Sequence, residues 1–381
     1  MKMEETTTLP QPTIAIIRPS RLASIDALRG FDMLMIAGGG QFIEHLGGKT
    51  GLPWVDALAA QFEHPAWHGF TFYDFIFPLF LFLAGTSLPF SLQAGLARGT
   101  SKSTLLQKVG KRMLVLILLG ILYKNAPLDP FDPAHIRYGS VLGRIGLATF
   151  LAAVLYLNFS MIQRLSIGLG ILVVYYLAVA FIPVPGYGAG DLSFEGNLVG
   201  WFDRHFMPGR LLQKTYDELA LFTQLPAACL AIFGTLAGDA LRSDTAAAQK
   251  LKRLLILGFA GVVLGLLWNF IFPINKHLWS SSFVLLTSGL GFLMLALFYW
   301  IIDVQGYQKW AFFFRVIGMN SLVMYLAYRF IDFGESARLL FFGIYGHAAE
   351  PWHEVFNALG GLLLAWLLLY FLWRKKVFVK V

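Results

Sequence analysis

Glu63, His64 and His68 crowd one short polar turn in the stretch QFEHPAWHGFTFYDFIFPLFLFLAGTSLPF, residues 61–90. The turn runs without a linker into an apolar segment that carries one acid, Asp74. Imidazole gains and loses a proton near neutrality. A neutral imidazole held by a partner and open to a nucleophile can serve as general base. Glu63, His68 or a more distant carboxylate is available to orient His64. An ionisable group within a membrane span is costly and points to function. The plain reading of the same stretch is an interfacial loop with incidental polar residues.

Other residue types could also bear on chemistry. Asp26 and Arg29, in IDALRGFDM, are spaced to pair on one helix face. That pair is either a structural anchor near lipid or a contact for an anionic cofactor. Gly38, Gly39 and Gly40 permit a broken span or close helix packing; no GxxxxGK phosphate loop follows them. Asp74 and Arg144 are charges at membrane depth, each needing a partner, and each is a candidate for the other. NKHLWSSSF, 275–283, offers Asn275, Lys276, His277 and Trp279 in a short turn. GMNSLVMY, 318–325, puts Asn320 and Ser321 within a span. The single cysteine, Cys229, lies in an apolar segment and reads as core packing. No internal disulfide is available, and no metal site is expected.

These residues need elements to position them. Of the 381 residues, 57% are hydrophobic and only 14% charged, with mean hydropathy +0.64. A soluble domain carries about 25% charged residues. Several apolar runs approach the roughly 20 residues that cross a bilayer. They are too continuous for the alternating strands of a membrane barrel. The expectation is an all-α, polytopic integral membrane protein with ten spans: about 27–46, 69–94, 105–123, 139–158, 161–181, 219–241, 253–273, 279–302, 313–331 and 353–373.

The net charge of +8 does not indicate nucleic-acid binding, because the cations sit in short loops between spans. Most of them fall on the side shared by the two termini, which predicts cytoplasmic termini. All eight histidines then map to outer loops or outer span ends. Residues 1–24 read as a mobile cytoplasmic lead-in without a signal-peptide core. Residues 25–381 read as one transmembrane domain with outer loops 47–68 and 182–218. The second loop is rich in glycine and aromatics, a composition suited to stacking on sugar rings.

Taken together the motifs resemble a transmembrane acyltransferase family, that of heparan-α-glucosaminide N-acetyltransferase and its bacterial relatives. The resemblance rests on Asp26, Arg29 and Gly30 at the first span, and on His64, Trp67, Gly69, Asp74, Phe77 and Pro78. It continues in R-x-G at 144–146, P-V-P-G at 183–186, N-K-x-L-W at 275–279, G-M-N-S at 318–321 and the tail WRKKVFVKV. The resemblance implies acetyl-CoA as the acetyl donor and an amino sugar or glycan as acceptor, with His64 as catalytic residue supported by Glu63, His68 and Asp74. Arg29, Lys108, Lys111, Arg112 and Arg144 are the candidates for holding the donor. Asn275, Lys276, Trp279, Asn320 and Ser321 are the candidates for the acceptor. Membrane lipids are the expected surroundings, a bacterial inner membrane the expected location, and a homodimer an open partner state. The sequence departs from the family in having no match for an asparagine that the lysosomal enzyme carries near the glycine run, the nearest positions being Ile36 and Ala37, and in its longer first outer loop, Gln41 to Trp67. A transporter or channel for a small polar solute is the alternative for the same intramembrane charges.

Overall fold

Ser101, Ser140, Ser160 and Ser280 each stand just ahead of a long apolar run. Each side chain accepts a backbone N–H from the first turn that follows, which starts a helix where the apolar pattern begins. The computed structural model describes residues 22–379. The expectations for residues 1–21 and for Lys380 lie outside the described residues. Most of those described are helical, and they hold two isolated bridge pairs and no named strand.

Fifteen α-helices follow one another. They are α1 (Ala23–Leu34), α2 (Gly40–Glu44), α3 (Pro53–Ala60), α4 (Phe72–Ala97), α5 (Lys102–Asn125), α6 (Val141–Asn158), α7 (Met161–Phe181) and α8 (Leu198–Phe206). Then come α9 (Gln224–Arg242), α10 (Ala247–Trp268), α11 (Ser281–Phe298), α12 (Ala311–Met319), α13 (Ser321–Phe330), α14 (Phe333–Tyr345) and α15 (His353–Arg374). Each expected span falls on one of these helices or on a joined pair. Among the described residues seven helices are long and apolar enough to cross a membrane, and eight if the bent pair α12–α13 counts as one span, against the ten expected; α1–α2 and α5 are not among them. The protein is an all-α polytopic membrane protein.

Two spans are broken. The first has a wide turn at Met35–Gly39, where Ala37 leaves helical geometry and Gly38 adopts φ +123°, a conformation that favours glycine. The second bends by 72° at Asn320. The Asn320 side chain grips the chain beyond α15 at both ends of a short segment, donating to the Val377 carbonyl at 3.0 Å and accepting from Val379 N at 3.1 Å. Asn320 therefore holds a backbone hinge.

Helix α9 is the centre of the bundle, with 83% of its apolar window buried, against 17% for α10 at the rim. Apolar side chains have no reason to leave lipid for each other, so close packing must hold the helices together. Along α4 and α9 glycines allow the backbones to touch. A Cβ on Gly85 would stand 2.0 Å from the Ala231 carbonyl oxygen, and one on Gly234 would stand 2.1 Å from that of Phe82. Gly85→Val is therefore expected to push α4 off α9. Overpacking of this kind costs about 1–3 kcal/mol or more, read as a lower thermal transition and loss of monodispersity in detergent.

The two ends of the bundle differ. At one end Asp303 accepts from Ala23 N and Ser24 N at 3.2 and 3.1 Å and so caps α1. At the other end the turn before α4, the turn between α10 and α11, and the 182–223 segment meet. That segment is not bare loop: Asn197 caps the short helix α8, and Asp203 on α8 accepts from Leu221 N and Phe222 N.

Candidate functional site

Thr71 and Asp74 open α4 as a capping box, the reciprocal arrangement that satisfies the first orphan N–H groups of a helix. The two oxygens of Asp74 have separate tasks. Oδ2 accepts from Thr71 N at 3.1 Å. Oδ1 lies 2.7 Å from His64 Nδ1 and 3.4 Å from Lys276 Nζ. Thr71 Oγ1 donates to the Glu63 carbonyl at 2.7 Å and ties the histidine turn to the helix start.

An ionised carboxylate only accepts, so Nδ1 of His64 carries the proton and Nε2 keeps its lone pair. The Asp74 side chain is 2% exposed and that of His64 is 43% exposed. The imidazole stacks on Tyr73 with ring centroids 5.0 Å apart. Lys276 Nζ sits 3.2 Å from His64 Nε2 and 3.4 Å from Nδ1. One ammonium thus faces both the carboxylate and the imidazole. The arrangement can take a proton at Nε2 and return it, with negative charge stabilised nearby.

Lys276 is placed by a rigid turn. Asn275 accepts from Leu278 N at 2.8 Å through Oδ1, and its own N–H donates to Ser280 Oγ at 3.0 Å. Gly69 N donates to the Ile274 carbonyl at 3.0 Å, which joins this turn to the histidine turn. His277 lies flat on Trp67, centroids 5.3 Å apart, and its Nδ1 is 2.8 Å from the Tyr216 hydroxyl. Burial holds the His277 imidazole below its ordinary pKa, against the pull of Glu218 at 3.7 Å. Tyr216 comes from a segment 61 residues away, and nothing in its local sequence marked it.

Several expected residues take other places. Glu63 contributes its backbone carbonyl and not its carboxylate. His68 turns to Asn275, with Nδ1 3.2 Å from the amide nitrogen, and burial lowers its pKa. Neither orients His64; Asp74 does. Asp74 and Arg144 do not pair. Arg144 is 1% exposed, stacks on the Trp279 ring at 4.6 Å and donates to Thr223 Oγ1 at 2.5 Å. Trp279 is therefore no open plate for a sugar, since it is 1% exposed beneath that guanidinium.

A separate cavity of about 360 Å³ lies among α1, α4, α5, α6, α12 and α13. Arg29, Arg112, Ser87, Ser91 and Ser321 give it a polar wall. Arg29 donates to Ser87 Oγ at 2.6 Å and pairs with Asp26 at 3.4 Å. Arg144 is on the same helix as cavity residues Val141, Leu142 and Ile145 but is not on the wall; Lys108 and Lys111 are also off it. Asn320 holds Val379, which lines the cavity too. Phe80 on the cavity wall lies six positions along α4 from Asp74, about 9 Å along the axis. Between them runs a buried apolar cluster, Met35, Phe62 and Ile76, which reaches from Ile36 on the wall to Tyr73 against His64.

The fold and the site define a membrane-embedded helix bundle with a carboxylate-held histidine open at one end and an arginine-lined cavity within. A family described only as a domain of unknown function (DUF5009) matches residues 21–182. Heparan-alpha-glucosaminide N-acetyltransferase from Homo sapiens is 29% identical over 95% of the chain, and that from Mus musculus 29% identical over 97%. The chain is similar to these enzymes along nearly all of its length. It spans about 60% of the length of these curated relatives.

Proposed function

We propose that the protein is a membrane acetyltransferase that moves the acetyl group of acetyl-CoA to the amine or hydroxyl of an amino sugar or glycan. The observation that carries this reading is the His64–Asp74 pair, with a buried carboxylate on Nδ1 of a partly exposed imidazole whose Nε2 faces Lys276. His64 Nε2 takes the proton from the acceptor as its nitrogen or oxygen bonds to the acetyl carbon. The C–S bond breaks, and the proton on Nε2 passes to the departing thiolate. Lys276 stabilises the oxyanion formed in between. A route through an acetyl-histidine intermediate uses the same residues, with Nε2 as nucleophile.

The arginine cavity suits the donor. Arg29 and Arg112 meet phosphate charge, and the three serines offer hydrogen bonds to a pantetheine arm. In this reading the cavity opens toward the cytoplasm and His64 faces the opposite compartment. The apolar cluster between cavity and histidine parts to admit the thioester, at the break beside Gly38. The reading is tested with detergent-purified protein, radiolabelled acetyl-CoA and a panel of amino sugars, which should yield labelled sugar. Acetyl-CoA at 100 times its Kd should also stabilise the protein by about 2.7 kcal/mol. The double variant Arg29→Ala with Arg112→Ala should lose most of that stabilisation. Absence of labelled product together with absence of stabilisation overturns the reading and favours a transport role.

A further inference from the structure

A cavity of about 250 Å³ opens in the 182–223 segment and shares no residue with the histidine site or the arginine cavity. It is smaller than the roughly 300–1,000 Å³ of sites that enclose a whole drug-sized molecule, so it suits one charged group of a larger ligand. Arg204 from α8 line it together with Arg210 and Lys214 from the loop that follows. The wall is built before any ligand arrives. Arg204 donates to the Thr215 and Glu195 carbonyls at 2.6 and 3.1 Å. Arg210 N donates to the Ile136 carbonyl at 3.0 Å, and its Nε donates to that of His135 at 2.9 Å. The buried pair of Arg137 with Asp217, at 2.6 and 2.8 Å, fixes the same loop, since Asp217 Oδ2 also accepts from Leu212 N at 3.1 Å.

The charges on this wall are not balanced. The partners of Arg204 and Arg210 are neutral carbonyls. The terminal nitrogens of Arg210 and the Lys214 ammonium have no hydrogen-bond partner among the described residues. The one acid on the wall, Asp203, is turned to the backbone. Its Oδ1 accepts from Leu221 N and Phe222 N at 3.0 and 3.1 Å, and burial pushes its pKa up to about 7. The wall is positive whether that acid is ionised or not. The cavity also lies at the edge of the apolar belt. Leu221 and Leu225, where α9 begins, are exposed apolar side chains that mark where this span enters lipid, and Asp203 bonds the first of them directly. Phe206 and Leu212, each next in the chain to the cavity residues Met207 and Leu211, are exposed too. Cations backed by exposed apolar side chains at a membrane boundary match a lipid anion in both its parts, phosphate and acyl carbon. A free anion would use only the first.

We infer that this cavity binds the phosphate headgroup of an anionic phospholipid in the leaflet at the histidine end, with the acyl chains running over Phe206 and Leu212. Lys214 stands two residues before Tyr216, which packs on Trp67 of the histidine turn and meets His277 through its hydroxyl. The bound lipid thus fastens to the bilayer the loop that rests on that turn. The inference is independent of the reaction proposed at His64.

The test uses the full-length protein in detergent and three probes: a short-chain phosphatidylglycerol, the matching phosphatidylcholine and inorganic phosphate. Binding is read as the probe concentration that gives half of the full rise in thermal transition. Phosphatidylglycerol should act at a concentration at least about tenfold below that of either other probe. Arg210→Gln with Lys214→Asn removes two charges gently. Glutamine still reaches the His135 carbonyl, and asparagine tolerates the left-handed backbone of Lys214, φ +60°. Each cation beside anionic lipid counts for about fivefold, so the double variant should bring the probes to within about twofold. Arg253→Gln removes an exposed cation at the opposite end of the bundle and should keep the preference. Phosphatidylglycerol no better than phosphatidylcholine, an equal response to inorganic phosphate, or a preference that survives the double variant overturns the inference. Loss of the preference in Arg253→Gln also overturns it, because the effect then belongs to overall charge. Should the double variant fail to fold, Lys214→Asn alone decides: a loss of about fivefold supports the lipid site, and an unchanged preference overturns it.

Discussion

His64→Ala should reduce acetyl transfer by about 10²–10⁴-fold, the range for a positioned acid–base group, while acetyl-CoA still stabilises the purified protein. The imidazole is partly exposed and meets Asp74 Oδ1, Lys276 Nζ and the Tyr73 ring at the end of the bundle, so its removal should leave the packing of the long helices intact. The donor cavity contains neither His64 nor any residue bonded to it, so binding of the donor should persist. Turnover like that of the unaltered protein would end the assignment of His64. Radiolabelled acetyl retained on the unaltered protein without acceptor, and absent from the alanine variant, would select the covalent route over direct transfer.

Asp74→Asn should be nearly as damaging, with transfer reduced by about 10²-fold or more and little change in thermal stability. The amide oxygen can still accept from Thr71 N and keep the helix cap. At His64 an amide no longer holds the tautomer with its proton on Nδ1, and it no longer balances the Lys276 ammonium. Asp74→Ala differs in a way that separates the two tasks. It also removes the cap, which costs about 1 kcal/mol. Equal activity in the asparagine variant and the unaltered protein would reduce Asp74 to a capping residue.

The sequence made some of this visible and hid the rest for physical reasons. Continuous apolar runs are readable because lipid demands them, so each expected span falls on a helix or a joined pair, though only seven or eight of the ten meet the length and apolarity that a crossing needs among the described residues. The break at Gly38 was readable because three successive glycines are costly in an unbroken span. His64, Asp74 and Lys276 stood out as titratable groups at span ends, but their mutual contact did not. The turn between His64 and Asp74 and the 212 residues from His64 to Lys276 are closed by tertiary packing. Arg144 was expected to seek an acid or an anionic donor. It finds an aromatic face, a threonine hydroxyl and the Gln224 amide oxygen instead, and its Nη1 nitrogen is buried without a hydrogen-bond partner among the described residues. Trp279 was read as an interface plate because tryptophan favours that zone; its turn folds inward and buries it.

The contact between α4 and α9 has a mechanical consequence. Gly85 and Gly234 bring two backbones together along the middle of the bundle, and Asp74 sits at the tip of one of them. The carboxylate is thus carried on a fixed jaw that cannot follow an incoming molecule. The opposing jaw is the first span, jointed at Ala37 and Gly38. Any gripping or release must come from that side, and a change that stiffens the joint would slow the cycle without touching a single charged group.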